Sequence, residues 1–342
     1  MEILVPAAGL STRYPNMRPK YLLYDYKSDL MLKNAVSQFI ETGHRITVGI
    51  LQVHDQQFNA VEHIKNAIPN VNVIVLPEFT KGPADTVYQM LKWFDKEDFE
   101  FLVKDCDSFF THDIPSGNYV CVSNIASHET LHKLSAKSFV KYNDQDIITD
   151  IIEKQVVSDT FCVGGYKFES AMQYKESYRK LSETVEEIFV SHIIQNLLMN
   201  GKTFSMSYVR DYVDVGTIEE WTKYNDKPVV FCDIDGTLIH SQSRFGSNSY
   251  SSEPVVLKNN FEVVKDMYDR GAQIIFTTSR EAKYHDVTQA MLEKLGFNNC
   301  LLLSGLNISS RILINDYNES NPYPRAIAFN PKRDKDNLKD FI

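Results

Sequence analysis

The sequence predicts an α/β protein of two domains, on three observations: its length, an alternation of strand-like and helix-like stretches, and an abrupt restart of that alternation near residue 226. At 342 residues the chain is long against roughly 150 residues per domain. Apolar runs at 3–6, 46–53, 73–76 and 101–103 read as buried strands, the first running into a loop. Between them, 32–40, 61–67 and 86–94 carry apolar residues at helical spacing, the last through Val87, Met90, Leu91 and Phe94. The second alternation opens at Pro228-Val229-Val230-Phe231-Cys232. It continues as a helix over 263–268, a strand over 273–276, a helix over 287–295, and strands over 300–303 and 312–314. Tyr224-Asn225-Asp226-Lys227-Pro228 is polar, ends in proline and reads as a linker, which gives domains 1–225 and 226–342.

Composition narrows the function classes. With 43% hydrophobic and 24% charged residues, the chain is neither disordered, collagenous nor a coiled coil. The net charge of −9 divides unequally at residue 226, −8 before it and −1 after. Such a surface repels a phosphate backbone, so nucleic acid is not expected as a partner. The densest basic stretch, Lys332, Arg333 and Lys335, is interleaved with Asp334 and Asp336. Five cysteines without a CxxC pair argue against a disulfide framework or a structural zinc site and fit a reducing compartment. The N-terminus lacks a signal-peptide pattern, and no apolar run approaches the roughly 18 residues of a membrane span. A soluble, cytoplasmic protein without a membrane partner is expected, and a homo-oligomer is possible. No internal repeat is visible, and the serine-rich loop over 241–252 is the nearest approach to low complexity.

Pro6-Ala7-Ala8-Gly9-Leu10-Ser11-Thr12-Arg13 follows the first strand, with Pro19-Lys20 soon after. Small residues after a buried strand let backbone N–H groups approach a phosphate chain, which nearby cations neutralise. Alone, such a loop is an ordinary strand-to-helix turn. It is followed in order by Gly82-Pro83-Ala84, Lys104-Asp105-Cys106-Asp107, Ile152-Glu153-Lys154, Gly164-Gly165-Tyr166 and Tyr212-Val213-Asp214-Val215-Gly216-Thr217.

This series resembles the sugar-phosphate nucleotidyltransferases over about 225 residues. The resemblance implies a mixed-sheet, Rossmann-like three-layer domain. It implies that Ala7, Ala8, Gly9 and Thr12 line the nucleotide phosphates and that Gly82 and Ala84 lie near the base. Asp107 and Asp214 would hold Mg²⁺, with Asp105 a lesser candidate. Arg13 and Lys20 would clamp the triphosphate and stabilise charge on the α-phosphoryl group. Glu153 and Lys154 would orient the acceptor, and Gly165 would turn beneath it. The acceptor phosphate is itself the nucleophile, so no nucleophilic side chain is required. His128-Glu129-Thr130-Leu131-His132 fits the zinc pattern H-E-x-x-H, but a five-residue pattern matches by chance, and zinc catalysis is not expected.

Phe231-Cys232-Asp233-Ile234-Asp235-Gly236-Thr237-Leu238 is the most specific stretch of the chain. Two acids one residue apart at a strand end suit phosphate-ester cleavage, the first attacking phosphorus and the second protonating the leaving oxygen. The stretch resembles the first motif of the haloacid dehalogenase-type phosphohydrolases. Ile274-Ile275-Phe276-Thr277-Thr278-Ser279-Arg280 resembles the second motif, with Thr278 as the phosphate-binding hydroxyl. Ile312-Leu313-Ile314-Asn315-Asp316 resembles the fourth, with Asn315 in place of one acid. The resemblance implies that Asp233, Asp235 and Asp316 hold Mg²⁺. Arg311 is the candidate cation for the transferred phosphate, with Lys283 and Lys294 as alternatives. Only about twenty residues separate the acid pair from the next helix, so a small domain without a large cap is expected.

Together these readings predict a bifunctional Mg²⁺-dependent enzyme. Its partners would be a nucleoside triphosphate, with CTP favoured by analogy with similar fusions, and a phosphorylated sugar or polyol. The resemblance implies a bacterial surface-polysaccharide pathway. The alternatives are a transferase with an inactive phosphatase-like domain, or a sugar-nucleotide-sensing module without turnover.

Overall fold

Ile3, Leu4 and Val5 are fully buried in the first strand, β1 (Glu2–Pro6), and they feed two different cores. Strand side chains alternate between faces, so β1 is covered on both sides. The computed structural model describes residues 1–128, 134–241, 250, 253–314 and 326–342. The chain divides into two compact units, Met1–Asn225 and Asp226–Ile342.

In the first unit β1 pairs in parallel with β2 (Arg45–Leu51) and β4 (Phe101–Lys104), and β2 pairs in parallel with β3 (Asn72–Leu76). Beyond β4 the sheet becomes mixed. β9 (Thr160–Phe168) runs antiparallel to β4 and to β6 (Tyr119–Asn124). β10 (Ser205–Asp214) runs parallel to β6 and antiparallel to β5 (Ser108–His112). The order is β3-β2-β1-β4-β9-β6-β10-β5, and the pair β7 (Phe139–Tyr142) and β8 (Ile148–Ile152) joins it through β9.

Helices cover both faces. α5 (Pro83–Leu91), α6 (Ala171–Leu181) and α7 (Val190–Met199) bury Val87, Met90, Tyr174 and Ile193 in one core with Leu4 and Val103. α1 (Met31–Ala35), α2 (Ser37–Glu41) and α4 (Ala60–Ala67) bury Leu32, Phe39 and Ile64 in the other with Ile3, Val5 and Leu102. α3 (Gln52–Phe58) follows β2, and α8 (Ile218–Asn225) closes the unit.

Three expectations shift. The helix expected over 32–40 breaks at Val36, whose backbone (φ −113°, ψ 10°) leaves the helical region while its side chain stays fully buried. Packing outweighs helical continuity there. α5 starts at Pro83, where proline suits a first turn, and ends before Phe94. Tyr224 and Asn225, expected in the linker, belong to α8. Tyr224 stacks on Trp221, and the Asn225 amide donates to the Trp221 carbonyl at 2.8 Å.

The second unit has three parallel strands in the order β11 (Val229–Asp233), β12 (Gln273–Thr277), β13 (Leu301–Leu303). Its helices are α9 (Lys258–Asp269) and α10 (His285–Lys294). Cys232, Ile234, Leu238, Val264, Phe276, Leu292 and Phe297 form its core. The strand expected over 312–314 is absent. Ile312 and Ile314 are 80% and 91% exposed, and no backbone hydrogen bond pairs them with β11 among the described residues. An apolar triplet without a ladder partner has nothing to hold it in a sheet.

Candidate active site

The C-terminal ends of β1 and β4 and the end of β10 open onto one cleft of about 1140 Å³. Ala7 and Ala8 are buried in its wall, and the N–H of Ala7 donates to the Gly49 carbonyl at 2.8 Å, continuing the β1–β2 ladder into the loop. Gly9, Thr12, Arg13, Lys20, Gly82, Asp107, Glu153, Lys154 and Asp214 also line the cleft. The motifs separated in sequence therefore converge. Two expected residues do not reach it. Ala84 lies in the first turn of α5 and is fully buried in the core. At Gly165 a Cβ would meet Cys121 Sγ at 2.7 Å, so that position faces the sheet's interior. Its neighbour Gly164 (φ +86°) lines the cleft instead. A Cβ there would lie 2.5 Å from Asp105 Oδ2, so glycine is required by both backbone and contact.

Each of the two acids expected to hold metal carries a lysine. Lys20 Nζ donates to Asp107 Oδ2 at 2.5 Å, with Arg13 Nη2 3.7 Å from the same oxygen. Lys137, which the sequence reading missed, donates to Asp214 Oδ2 and to the Tyr212 hydroxyl. The other Asp214 oxygen, Oδ1, accepts from the Gly216 N–H at 2.9 Å. Burial opposes the charge of Asp107, but Lys20 and then Arg13 outweigh it and hold the carboxyl below its ordinary range. Burial likewise opposes the Lys20 ammonium, and Asp107 reverses that effect, so the Lys20 pKa lies above its usual value. Asp105 behaves differently. Burial first, and the charge of Asp107 second, raise its carboxyl, which makes it the poorer metal ligand.

The geometry fits an oxygen-liganded divalent cation. A Cβ on Gly216 would stand 3.1 Å from Asp214 Oδ1, 3.3 Å from Asp107 Oδ2 and 3.4 Å from Arg13 Nη1. Both carboxylates thus converge on a space that only glycine leaves open. Mg²⁺ is typically held by one or two carboxylates plus substrate phosphates, so a pair such as Asp107 and Asp214 would suffice as the protein's share. No group of three or more His, Cys, Asp or Glu side chains suited to a metal occurs among the described residues. His128 of the zinc-like pattern bonds Ser123 and packs against Phe161 and Tyr212, while 129–133 lie outside the described residues.

The loop presenting Asp107 is tied down by Lys104. This lysine is fully buried and spends all three N–H bonds on the loop, at the Asp105 carbonyl (2.9 Å), the Ser108 carbonyl (2.6 Å) and Ser108 Oγ (2.9 Å). On the other side of the cleft, Glu153 Oε2 accepts from Ser138 and from Ser191, the latter at 2.5 Å. Lys154 holds a left-handed backbone (φ 56°), with Nζ 4.2 Å over the Phe189 ring. Ser138 and Lys137 stand in an unremarked stretch before β7 and Ser191 in the apolar start of α7, and no spacing could have singled them out.

In the second unit Asp233 ends β11 and Thr278 follows β12, so their side chains lie at the same end of the sheet. Thr237 Oγ1 donates to Asp233 Oδ2 at 3.2 Å, and Thr278 Oγ1 donates to Asp235 Oδ2 at 3.3 Å. Desolvation raises the Asp233 carboxyl first, the hydrogen bond from Thr237 opposes it, the charge of Asp235 adds to the rise and Arg311 works against it. Arg280, unassigned by the sequence reading, grips both Asp235 oxygens at 2.8 Å and donates to Thr288. Arg311 is exposed and donates to the carbonyls of Asn307 and Ser309. Asn315 and Asp316 lie outside the described residues. Asn260, fully buried, binds the Thr237 carbonyl, the Lys335 carbonyl and the Leu338 N–H, joining the acid loop to the C-terminal segment.

No protein-family model and no curated protein matches the chain. Solved structures do. The nucleoside-diphosphate-sugar pyrophosphorylase from Vibrio cholerae RC9 is similar with a TM-score of 0.55 at 20% identity, over 65% of this chain and 98% of that one. The inositol-1-phosphate CTP transferase from T. maritima gives a TM-score of 0.51 at 16% identity, over 64% of this chain and 90% of that one. A structure from Bacillus anthracis assigned as a glucose-1-phosphate thymidylyltransferase, in complex with sucrose, gives 0.52 at 15% identity, over 66% and 93%. The similarity lies in the N-terminal 65% of the chain, which therefore has the mixed α/β fold, with a large mixed sheet, seen in these nucleotidyltransferase structures.

Proposed function

We infer that the first unit transfers a nucleotidyl group from a nucleoside triphosphate to a phosphorylated sugar or polyol, releasing pyrophosphate. The observation that carries this reading is the convergence of Asp107 and Asp214, each paired with a lysine, on the open space beside Gly216 in a cleft walled by the small-residue loop. An oxygen of the acceptor phosphate attacks the α-phosphorus, the bond to the bridging oxygen breaks, and pyrophosphate leaves. Mg²⁺, held by Asp107 and Asp214, would offset the charge of the two approaching substrates. Lys20 and Arg13 stand beside Asp107 and would stabilise charge on the α-phosphoryl oxygens. Glu153, fixed by two serine hydroxyls, would accept hydrogen bonds from an acceptor hydroxyl. CTP is the favoured donor, and the inositol-phosphate CTP transferase among the similar folds supports a polyol phosphate as acceptor.

The second unit is read as a phosphomonoesterase. Asp233 would attack phosphorus and form an aspartyl-phosphate while Asp235 protonates the leaving oxygen. Asp235 would then activate a water that cleaves the aspartyl-phosphate and releases inorganic phosphate, with Thr278 binding a phosphoryl oxygen. Asp233, Asp235 and Asp316 would hold its Mg²⁺. Both units acting on one monophosphate would be futile. The combination makes sense for an acceptor with two phosphates, or for two different steps of surface-polysaccharide precursor synthesis. One observation favours a second reading, a non-hydrolytic unit: Arg280 occupies both Asp235 oxygens, so delivering a proton requires the guanidinium to let go.

A screen of the full chain decides between these readings. Nucleotides are crossed with sugar and polyol phosphates while pyrophosphate and inorganic phosphate are followed separately. Absence of pyrophosphate across the panel sinks the transferase reading. Absence of inorganic phosphate leaves the non-hydrolytic one.

A further inference from the structure

Lys137 lines the cleft, and the reaction above gives it no role. It stands in the turn before β7, is 12% exposed at its side chain, and reaches Asp214 across 77 positions of sequence. Its Nζ lies 5.4 Å from the ring centres of both Phe161 and Tyr212 and donates to the Tyr212 hydroxyl at 2.8 Å. Each Asp214 oxygen thereby has one donor, Oδ2 accepting from Lys137 and Oδ1 from the Gly216 N–H.

An ammonium and a divalent cation compete for one carboxylate oxygen because the two cations repel. A metal that takes Oδ2 of Asp214 therefore displaces Lys137 from that oxygen. A lysine released among aromatic rings, with little access to water, needs a new anionic partner. The neighbouring residue shows where that partner arrives. Ser138 donates to Glu153, the residue read as orienting the acceptor, so Lys137 lies on the acceptor side of Asp214.

We propose that Lys137 is an exchanging counterion: it neutralises Asp214 before substrates bind and then binds the phosphate monoester of the acceptor. Its four-carbon stem permits the swing, and the exchange keeps the site close to charge balance at both stages. The assignment rests on the transferase reading of this cleft. It adds the prediction that acceptor binding and metal occupancy of Asp214 favour each other through one side chain.

The test uses the full-length chain and needs no turnover. Mn²⁺ binding without substrates is followed by electron paramagnetic resonance for wild type, Lys137→Met, Lys137→Arg, Asp214→Asn and Lys137→Met combined with Asp214→Asn. Lys137→Met should bind Mn²⁺ about tenfold more tightly, comparable to the effect of one adjacent cation on a carboxylate's affinity for a proton. The gain should vanish in the Asp214→Asn background, and Lys137→Arg should stay near wild type. With Mn²⁺ present, calorimetry should show inorganic phosphate binding about tenfold more weakly to Lys137→Met, with partial recovery in Lys137→Arg. Circular dichroism establishes that the variants fold, and Lys137→Arg carries the phosphate test if Lys137→Met does not. Unchanged or weakened Mn²⁺ affinity in folded Lys137→Met overturns the proposal, as does unchanged phosphate affinity. Loss of pyrophosphate formation by wild type, with both binding effects intact, would instead overturn the transferase reading and leave the counterion exchange standing.

Discussion

The N–H of Val215 donates to the carbonyl of Asp107 at 3.0 Å. This bond ties the end of β10 to the loop after β4, so the carboxylates of Asp107 and Asp214 are set by one backbone link rather than by side-chain flexibility. Gly216 follows immediately and leaves the space between them open.

Gly216→Ala should close that space. The added methyl would press on Asp214 Oδ1, Asp107 Oδ2 and Arg13 Nη1 at 3.1–3.4 Å. Displacement of either acid by a fraction of an ångström should lower pyrophosphate release by about 10–100-fold. Thermal stability should change little, because Gly216 does not have a left-handed backbone. Full activity in this variant would show that the space beside Gly216 is not used.

Lys20→Ala removes the cation that contacts Asp107 and would face the α-phosphoryl group. Pyrophosphate release should fall by about 100-fold or more, while inorganic phosphate release is preserved. Retained pyrophosphate release would take Lys20 out of the catalytic set.

What the sequence made legible, and what it hid, follows the range of the interactions. β1 and the loop after it could be read because an apolar run followed by small residues is a local pattern. The fourth acidic motif was harder, since 312–314 is apolar like a strand but strand pairing depends on a partner far along the chain. Ala84 and Gly165 show a parity problem. A motif fixes a position in the chain but not which face of the element it turns, and both face the core. Lys137 and Arg280 were invisible as partners because a long side chain chooses its carboxylate in three dimensions. Arg280 ends the stretch 274–280 that resembles the second phosphohydrolase motif, yet its two bonds to Asp235 span 45 positions.

His112 gives the first unit a pH-dependent stability. It is buried between β5 and its neighbours, with Nε2 3.1 Å from the Tyr119 hydroxyl and Nδ1 without a partner among the described residues. Burial first, and then the charge of Lys104, push its pKa down to about 4. The unfolded chain titrates near 6.5, so between these values the unfolded state binds more protons than the folded one. The contribution is fully present above 6.5 and is lost as pH falls toward 4. Thermal melts should show a loss of about 2 kcal/mol near pH 5 relative to neutral pH, absent from His112→Gln. An equal loss in that variant would move the effect to other groups.

Asp233→Asn should abolish inorganic phosphate release and leave nucleotidyl transfer nearly intact. The amide keeps the shape of Asp233 and its contact with Thr237 but cannot attack phosphorus. Equal loss of both products would show that the two chemistries are not divided between the two units.

Arg280→Met separates structural need from chemistry in the second unit. The guanidinium side chain is 1% exposed and spends its bonds on Asp235, Thr288 and the face of Tyr250. Removing it leaves a partly buried carboxylate without its ion pair, a change that should destabilise this unit by roughly 2–4 kcal/mol in denaturant melts. The double variant Arg280→Met with Asp235→Asn should recover part of that loss, because the uncompensated charge is gone. If Arg280 instead serves mainly to bind substrate phosphate, the single variant should melt like wild type and lose phosphate release. The melt therefore separates the two roles, whichever way the phosphatase assay falls.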